Sequence, residues 1–230
     1  MGRLIVTLDG PAGSGKSTVA RELAARLGLA LLDTGAMYRG LTARALDRGI
    51  DPGAEAYAVV ELARHSPMRF DFAAEPPRLF VGSVDVTDRL RDADVTAAVS
   101  DVAALAPVRK VLVEQQRAIG AEHPRLVTEG RDQGSVVFPQ AHVKFYLDAA
   151  PAVRARRRAE QIRAAGRHAD LEAIRRSIMD RDARDTSRAD GPLICPPDAE
   201  RIDTSAMTLE QVVELLERRV RERAGLEARA

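Results

Sequence analysis

Residues 10 to 18, Gly-Pro-Ala-Gly-Ser-Gly-Lys-Ser-Thr, have the types and spacing needed to hold phosphate. They satisfy G-x-x-x-x-G-K-[ST]. In that pattern glycines let consecutive backbone N–H groups turn toward phosphate oxygens, and the following helix adds its positive N-terminal end. Lys16 is then spaced to reach the β- and γ-phosphates, and the Ser17 hydroxyl to meet Mg²⁺. Both flanks agree. Leu4 to Leu8 reads as a buried parallel strand, while Val19, Ala20, Leu23, Ala24 and Leu27 recur at helical spacing up to a stop at Gly28. Gly10, Pro11, Ala12, Gly13, Ser14, Gly15, Lys16, Ser17 and Thr18 are therefore the expected nucleoside triphosphate site, with Lys16 catalytic and Ser17 the metal ligand.

Phosphoryl transfer also needs an acceptor and positive charge on the transferring group, with little covalent help from protein. Arginine supplies that charge here. Of 35 basic residues only Lys16, Lys110 and Lys144 are lysines, and eleven arginines lie between Arg154 and Arg188 against six acids. A net charge of +1 argues against a general polyanion binder, and 3 % aromatic residues with no Trp leave few stacking platforms for single-stranded nucleic acid. The cluster fits the phosphates of a small substrate better. Arg154, Arg157 and Arg158 fall within about 100° on one helix face, a lid that closes over nucleotide or, more plainly, a solvated surface. Arg181, Asp185 and Arg188 are spaced for one side of a second helix, where the plain alternative is an exposed ion pair worth about 0.3–0.5 kcal/mol. Cys195 is the only cysteine, so no internal disulfide forms. With no leader ahead of the first strand and no apolar run near the roughly 18 residues of a membrane span, a reducing cytoplasm is expected.

The elements that must position these residues are short apolar strands near 4–8, 29–32, 126–128, 143–147 and 201–203, alternating with helices. This predicts a five-stranded parallel, doubly wound α/β sheet with helices on both faces, a P-loop three-layer fold. Between them lie helices at about 36–47, 54–65, 89–104 and 107–121. Alternating Met68 to Phe72 and a hairpin about Gly82-Ser83 predict a small antiparallel insert. Two Arg-rich helices, about 151–165 and 170–187, are separated by Gly166-Arg167-His168, and a last helix covers about 208–223. The chain reads as one domain over 1–230, with core segments 1–50, 89–150 and 189–230, an insert at about 51–88 and a helical lid at about 151–188. Ligands of such sheets sit beyond the carboxyl ends of the strands. The polar clusters Asp9–Ser17, Asp33–Arg39 and Glu129–Asp132 all follow strands and are expected to converge. Arg39, early in its helix, is placed to meet an acceptor phosphate.

Four blocks carry a resemblance: Asp9 to Ser17; Leu32-Asp-Thr-Gly-Ala-Met-Tyr-Arg39; Glu129-Gly-Arg-Asp132 with Gly134-Ser-Val-Val-Phe-Pro139; and Arg181-Asp-Ala-Arg-Asp-Thr-Ser-Arg188. In order and over essentially the whole chain, the sequence resembles the bacterial cytidylate kinases, including their extended monophosphate-binding insert. The resemblance implies transfer of the γ-phosphoryl of ATP, with Mg²⁺, to CMP or dCMP in pyrimidine nucleotide metabolism, by a monomeric cytoplasmic enzyme that contacts neither nucleic acid nor membrane. It implies that Thr34, Arg39 and Arg131 line the monophosphate pocket, and that Ser100, Arg109 and Asp132 contact cytosine, with Arg188 in the same pocket. Arg181 and Asp185 would contact the sugar, and Arg154 and Arg157 would join Lys16 and Arg131 in catalysis. Glu129 stands where some relatives have Asp, and Gln133 receives no role. The competing readings are a P-loop kinase for UMP, another nucleotide or an alcohol such as shikimate, and a nucleotide switch. A switch expects an N/T-K-x-D motif, which is absent, and leaves Arg39, Arg131, Arg181 and Arg188 unexplained.

Overall fold

A computed structural model describes residues 2–74, 76–164 and 166–225. In chain order the elements are β1 (Leu4–Asp9), α1 (Lys16–Leu27), β2 (Ala30–Asp33), α2 (Thr34–Asp47), α3 (Ala56–His65), β3 (Met68–Asp71), β4 (Arg78–Val81) and β5 (Val84–Asp85). There follow α4 (Ala93–Ala104), α5 (Ala106–Glu122), β6 (Arg125–Glu129), β7 (Val143–Asp148), α6 (Pro151–Ala164), α7 (Leu171–Ser187), β8 (Glu200–Asp203) and α8 (Leu209–Ala224). They pack as two compact units: Met1–Leu31 with Pro124–Ala230, and Leu32–His123.

The first unit is built on the expected sheet, with strand order β2-β6-β1-β7-β8. All six residues of β1 are buried, as a strand flanked on both edges and both faces must be. It runs parallel to β6, with Leu4 opposite Arg125 and Leu8 opposite Glu129, and to β7, with Val6 opposite Val143 and Asp9 opposite Tyr146. The chain first goes to one side of β1 and then to the other, so the polar ends of β1 and β6 adjoin at the switch point where such sheets bind ligands. On one face Val6, Leu8, Val127 and Phe145 pack against Val19 and Leu23 of α1 and Val213, Leu216 and Val220 of α8. Each large side chain so buried contributes roughly 1.5–3 kcal/mol. A capping box between Thr208 and Gln211 starts α8.

The second unit pairs α2 with α4 and α3 with α5, and β3, β4 and β5 form a three-stranded antiparallel sheet. The hairpin turns at Gly82, with φ of 62°, at the predicted place. A methyl group on Gly40 would come 2.8 Å from Leu79, which is how closely α2 lies on β4. The antiparallel strands fall inside the expected 51–88 insert, while the compact unit holding them also takes in α2, α4 and α5. Three helix starts differ from expectation by two residues or more, and α3 begins at Ala56 rather than 54. Helix α2 starts at Thr34 rather than Ala36, because the Asp33 carboxylate caps it by accepting the Ala36 N–H at 2.8 Å. Helix α4 starts at Ala93 rather than 89, because Thr87–Arg89 forms a separate 3₁₀ turn. Among the described residues no helix is long and apolar enough to cross a membrane.

Candidate active site

The loop from Gly10 to Gly15 leaves β1 and delivers the chain into α1 at Lys16. At Gly10 a Cβ would collide with the Leu147 carbonyl, so only glycine lets the loop pass the neighbouring strand. Gly15, with φ of 91°, takes the left-handed conformation at the helix N-cap, and its carbonyl accepts from Val19 N at 3.0 Å. The first N–H groups of α1 have no partners within the helix and form an anion site. Lys16 is buried and folds back over the loop, donating from Nζ to the Pro11 carbonyl at 2.8 Å and to Ser14 Oγ at 3.3 Å. Burial first, then the charge of Arg131, lowers its pKa to about 7. Beside it, Ser17 Oγ donates to Glu129 Oε1 at 2.5 Å, joining the first turn of α1 to the end of β6.

Asp9, the last residue of β1, is buried, and its two carboxylate oxygens accept from the backbone N–H groups of Gln133 at 2.8 Å and Gly134 at 2.7 Å. Those bonds favour the ionised form, yet burial outweighs them and raises the Asp9 pKa to about 7. Gln133–Val137 is a single π-helical turn, in which the Asp132 carbonyl accepts from both Val136 and Val137. Such turns are rare and concentrate at functional sites. The buried Gln133 side chain accepts from Thr128 Oγ1 at 2.8 Å and reaches Asp132 Oδ1 at 3.4 Å, so the turn is tied both to β1 and to β6. Arg131 and Asp132 lead directly into it.

Helices α6 and α7 supply the remaining charge. Asp185, with a side chain 2 % exposed, holds Arg131 Nε at 2.8 Å and also pairs with Arg188. Arg188 lies just past the end of α7 in an extended conformation, so the helical angle expected for it does not apply and the local chain turn brings it to Asp185. Arg181 is half-buried on the same helix. Arg154, Arg157 and Arg158 of α6 diverge rather than forming one face. Arg154 is buried and reaches Ala12 of the loop; Arg157 donates to the Thr204 carbonyl at 2.6 Å and to Thr204 Oγ1 at 3.1 Å; exposed Arg158 meets Gln161 at 3.3 Å.

The second unit carries its own part of the predicted set. Thr34 is buried in the first turn of α2, and half-buried Arg39 follows on that helix, its guanidinium near Gly35. Arg109 is buried on α5, 5.7 Å from the centre of the Tyr38 ring, and Ser100 is half-buried on α4. Arginine is rarely buried so deeply unless its charge is partnered.

The cytidylate kinase family model matches residues 6–222. The chain belongs to the cytidylate kinase family. It is 45 % identical over 212 residues to the cytidylate kinase of Corynebacterium efficiens, covering 92 % of each chain, and 44 % identical over 213 residues to that of Azotobacter vinelandii, with the same coverage. It also matches a bifunctional pantoate ligase/cytidylate kinase of Synechococcus elongatus at 44 % identity, over 96 % of this chain and 42 % of that one. The crystal structure of an uncharacterized protein from Eubacterium ventriosum shares the fold, with a TM-score of 0.52 at 11 % identity over 96 % of this chain and 99 % of that one.

As a member of this family the protein is a nucleoside monophosphate kinase that uses ATP as phosphoryl donor. Three residues around the loop and the π turn carry no role in the sequence analysis. Gln133 had no assigned role, yet it is the side chain that ties the π turn to β6. Asp182 sits on the loop amide of Ala12 at 2.9 Å, although in the sequence it is one more acid in a charged helix. Asp9 precedes the phosphate loop, and only the paired strands bring it to a turn 124 residues away.

Proposed function

We propose that this protein transfers the γ-phosphoryl group of ATP to CMP or dCMP, giving CDP or dCDP. The observation that carries the reading is the junction of β1, α1 and β6. There a phosphate loop, a buried lysine and the Ser17–Glu129 pair meet beside Arg131 and Asp132. Gly10 to Thr18 hold the triphosphate, and Lys16 moves from the Pro11 carbonyl to the β- and γ-phosphates. A hydroxyl bonded to a carboxylate is a hard-oxygen donor set suited to Mg²⁺, which takes few protein ligands and keeps its own waters. Ser17 would hold the ion with Glu129 behind it; when bound, it neutralises charge developing on the phosphate oxygens. Lys16, Arg131, Arg154 and Arg157 are the assigned catalytic cations. Of these, Arg154 already sits on the loop, while Arg157 must exchange the Thr204 carbonyl and hydroxyl it holds here for phosphate when α6 and α7, the lid of about 151–188, close on the nucleotide.

On the acceptor side, Thr34, Arg39 and Arg131 bind the monophosphate. Asp132 accepts from cytosine N4, Arg109 donates to N3 or O2, and Ser100 and Arg188 complete the base pocket. Arg181 and Asp185 meet the sugar. Uracil reverses the donor and acceptor pattern at positions 3 and 4, so a pocket built for cytosine leaves buried groups unpaired, at a cost of roughly 1–3 kcal/mol. A single cysteine and small nucleotide substrates fit a monomeric cytoplasmic enzyme with no nucleic-acid or membrane partner. The test is steady-state phosphorylation of a panel of monophosphates with ATP and Mg²⁺. CMP and dCMP should be preferred to UMP by about tenfold or more in kcat/KM; more efficient phosphorylation of AMP or GMP would overturn the assignment.

A further inference from the structure

Asp182 lies outside the residues assigned to either substrate, yet it holds the phosphate loop. Its Oδ1 accepts the Ala12 N–H at 2.9 Å, and its Oδ2 accepts from Arg154 Nη1 at 2.5 Å. The same Arg154 Nη1 donates to the Ala12 carbonyl at 2.8 Å, and Arg154 Nε donates to the Ala149 carbonyl at 2.8 Å. The peptides on both sides of Ala12 are thus held by side chains from two helices. Next in the loop, Gly13 has φ of 77°, which side chains rarely adopt, and a Cβ there would lie 3.3 Å from Arg154 Cβ, so the clamp packs closely on the loop. The arginine side chain is 5 % exposed and the aspartate 18 %, so water screens the pair weakly. With the Ala12 N–H engaged by a carboxylate, the amides from Gly13 onward are left to the nucleotide.

We propose that Asp182 is a positioning residue for the ATP side of the transfer: it fixes the Ala12–Gly13 backbone of the phosphate loop and keeps Arg154 beside it. This rests on the kinase reading above. A fixed loop presents its amides without an ordering cost on binding, and a guanidinium held at a fixed place needs no reorganisation as the phosphoryl group moves. The charge of the pair, rather than its bulk, does this, so the effect falls on ATP and spares the acceptor.

The test compares Asp182→Ala and Asp182→Asn with wild type by calorimetric ATP binding, by KM for ATP and for CMP, and by hydrogen exchange at the Ala12 amide. Asp182→Ala should weaken ATP binding at least tenfold and speed Ala12 exchange at least tenfold, while KM for CMP stays within twofold. The asparagine variant keeps an acceptor for the amide but loses the ion pair; it should retain most of the protection and still bind ATP at least threefold more weakly. Should the alanine variant not fold, the asparagine result decides. In an Arg154→Ala background, Asp182→Asn should add less than twofold, because the two side chains act as one unit. Wild-type ATP affinity in Asp182→Asn, additive losses in the double variant, or equal losses for ATP and CMP would each overturn the proposal. A wild-type chain that binds ATP but makes no CDP would instead sink the kinase reading, and ATP affinity with Ala12 exchange would still judge the clamp.

Discussion

Replacing Asp185 by alanine should destabilise the protein by about 3 kcal/mol as well as impair it. The carboxylate is 2 % exposed and is shared by Arg131 and Arg188, whose side chains are only 18 % and 14 % exposed. Alanine takes this shared carboxylate away from both guanidinium groups at a place where all three side chains are largely buried. Breaking a buried ion pair from one side costs roughly 3–5 kcal/mol, against about 0.2–1 kcal/mol for exposed pairs. The residual exposure lets both arginines turn partly toward solvent, which favours the lower end of that range. The loss also leaves Arg131 nearer to an unopposed cation, since its charge already acts on Lys16. For a chain of this size, about 3 kcal/mol lowers Tm by roughly 6–12 °C and shifts the urea midpoint without changing the slope. Asp185→Asn, which keeps the volume and one acceptor, should fall between. Turnover adds a second readout: kcat/KM for CMP should drop and the CMP-to-dCMP ratio should change, while ATP affinity stays nearly constant. A loss under about 1 kcal/mol would place the cluster among ordinary surface pairs and refute the reasoning.

ATP binding should take up protons at pH 8. Unliganded Lys16 titrates at about 7, so it is mostly neutral there, and a triphosphate raises its pKa; Asp9, also near 7, is pushed the same way by added negative charge. Affinity should therefore fall as pH rises above about 7. Calorimetry in buffers of different ionisation enthalpy measures the uptake, and Lys16→Met should abolish most of it and lower turnover by about 10²-fold or more. Gly134→Ala should cost roughly 1–3 kcal/mol in urea unfolding, because the new methyl would lie 2.9 Å from buried Thr7 Oγ1 and 3.3 Å from Asp9 Oδ2. Unchanged stability in that variant would mean that the π turn is not held against β1.

Local physics wrote much of this molecule legibly into its sequence. The strand before Gly10 and the helix after Gly15 are specified by short-range periodicity and glycine spacing, so the phosphate loop, its lysine and the five-stranded sheet could be read directly. The hairpin at Gly82 was legible for the same reason: a turn residue between two alternating runs is a local signal. Helix starts were less so, because Asp33 works as a cap only through a hydrogen bond that composition does not show.

Pairing over long separations was not legible. Asp9 meets Gln133 and Gly134, Asp182 meets Ala12, and Asp185 meets Arg131, and each contact joins segments more than 50 residues apart. No periodicity relates such positions; the register of parallel strands and the docking of α7 bring them together. Tertiary structure likewise distinguished between arginines of the same helix. Arg154, Arg157 and Arg158 are alike in type and near one another in sequence, yet one is buried on the loop, one is bonded to Thr204 and one is exposed. Chemistry of this kind follows from burial and partner, and both are properties of the folded chain.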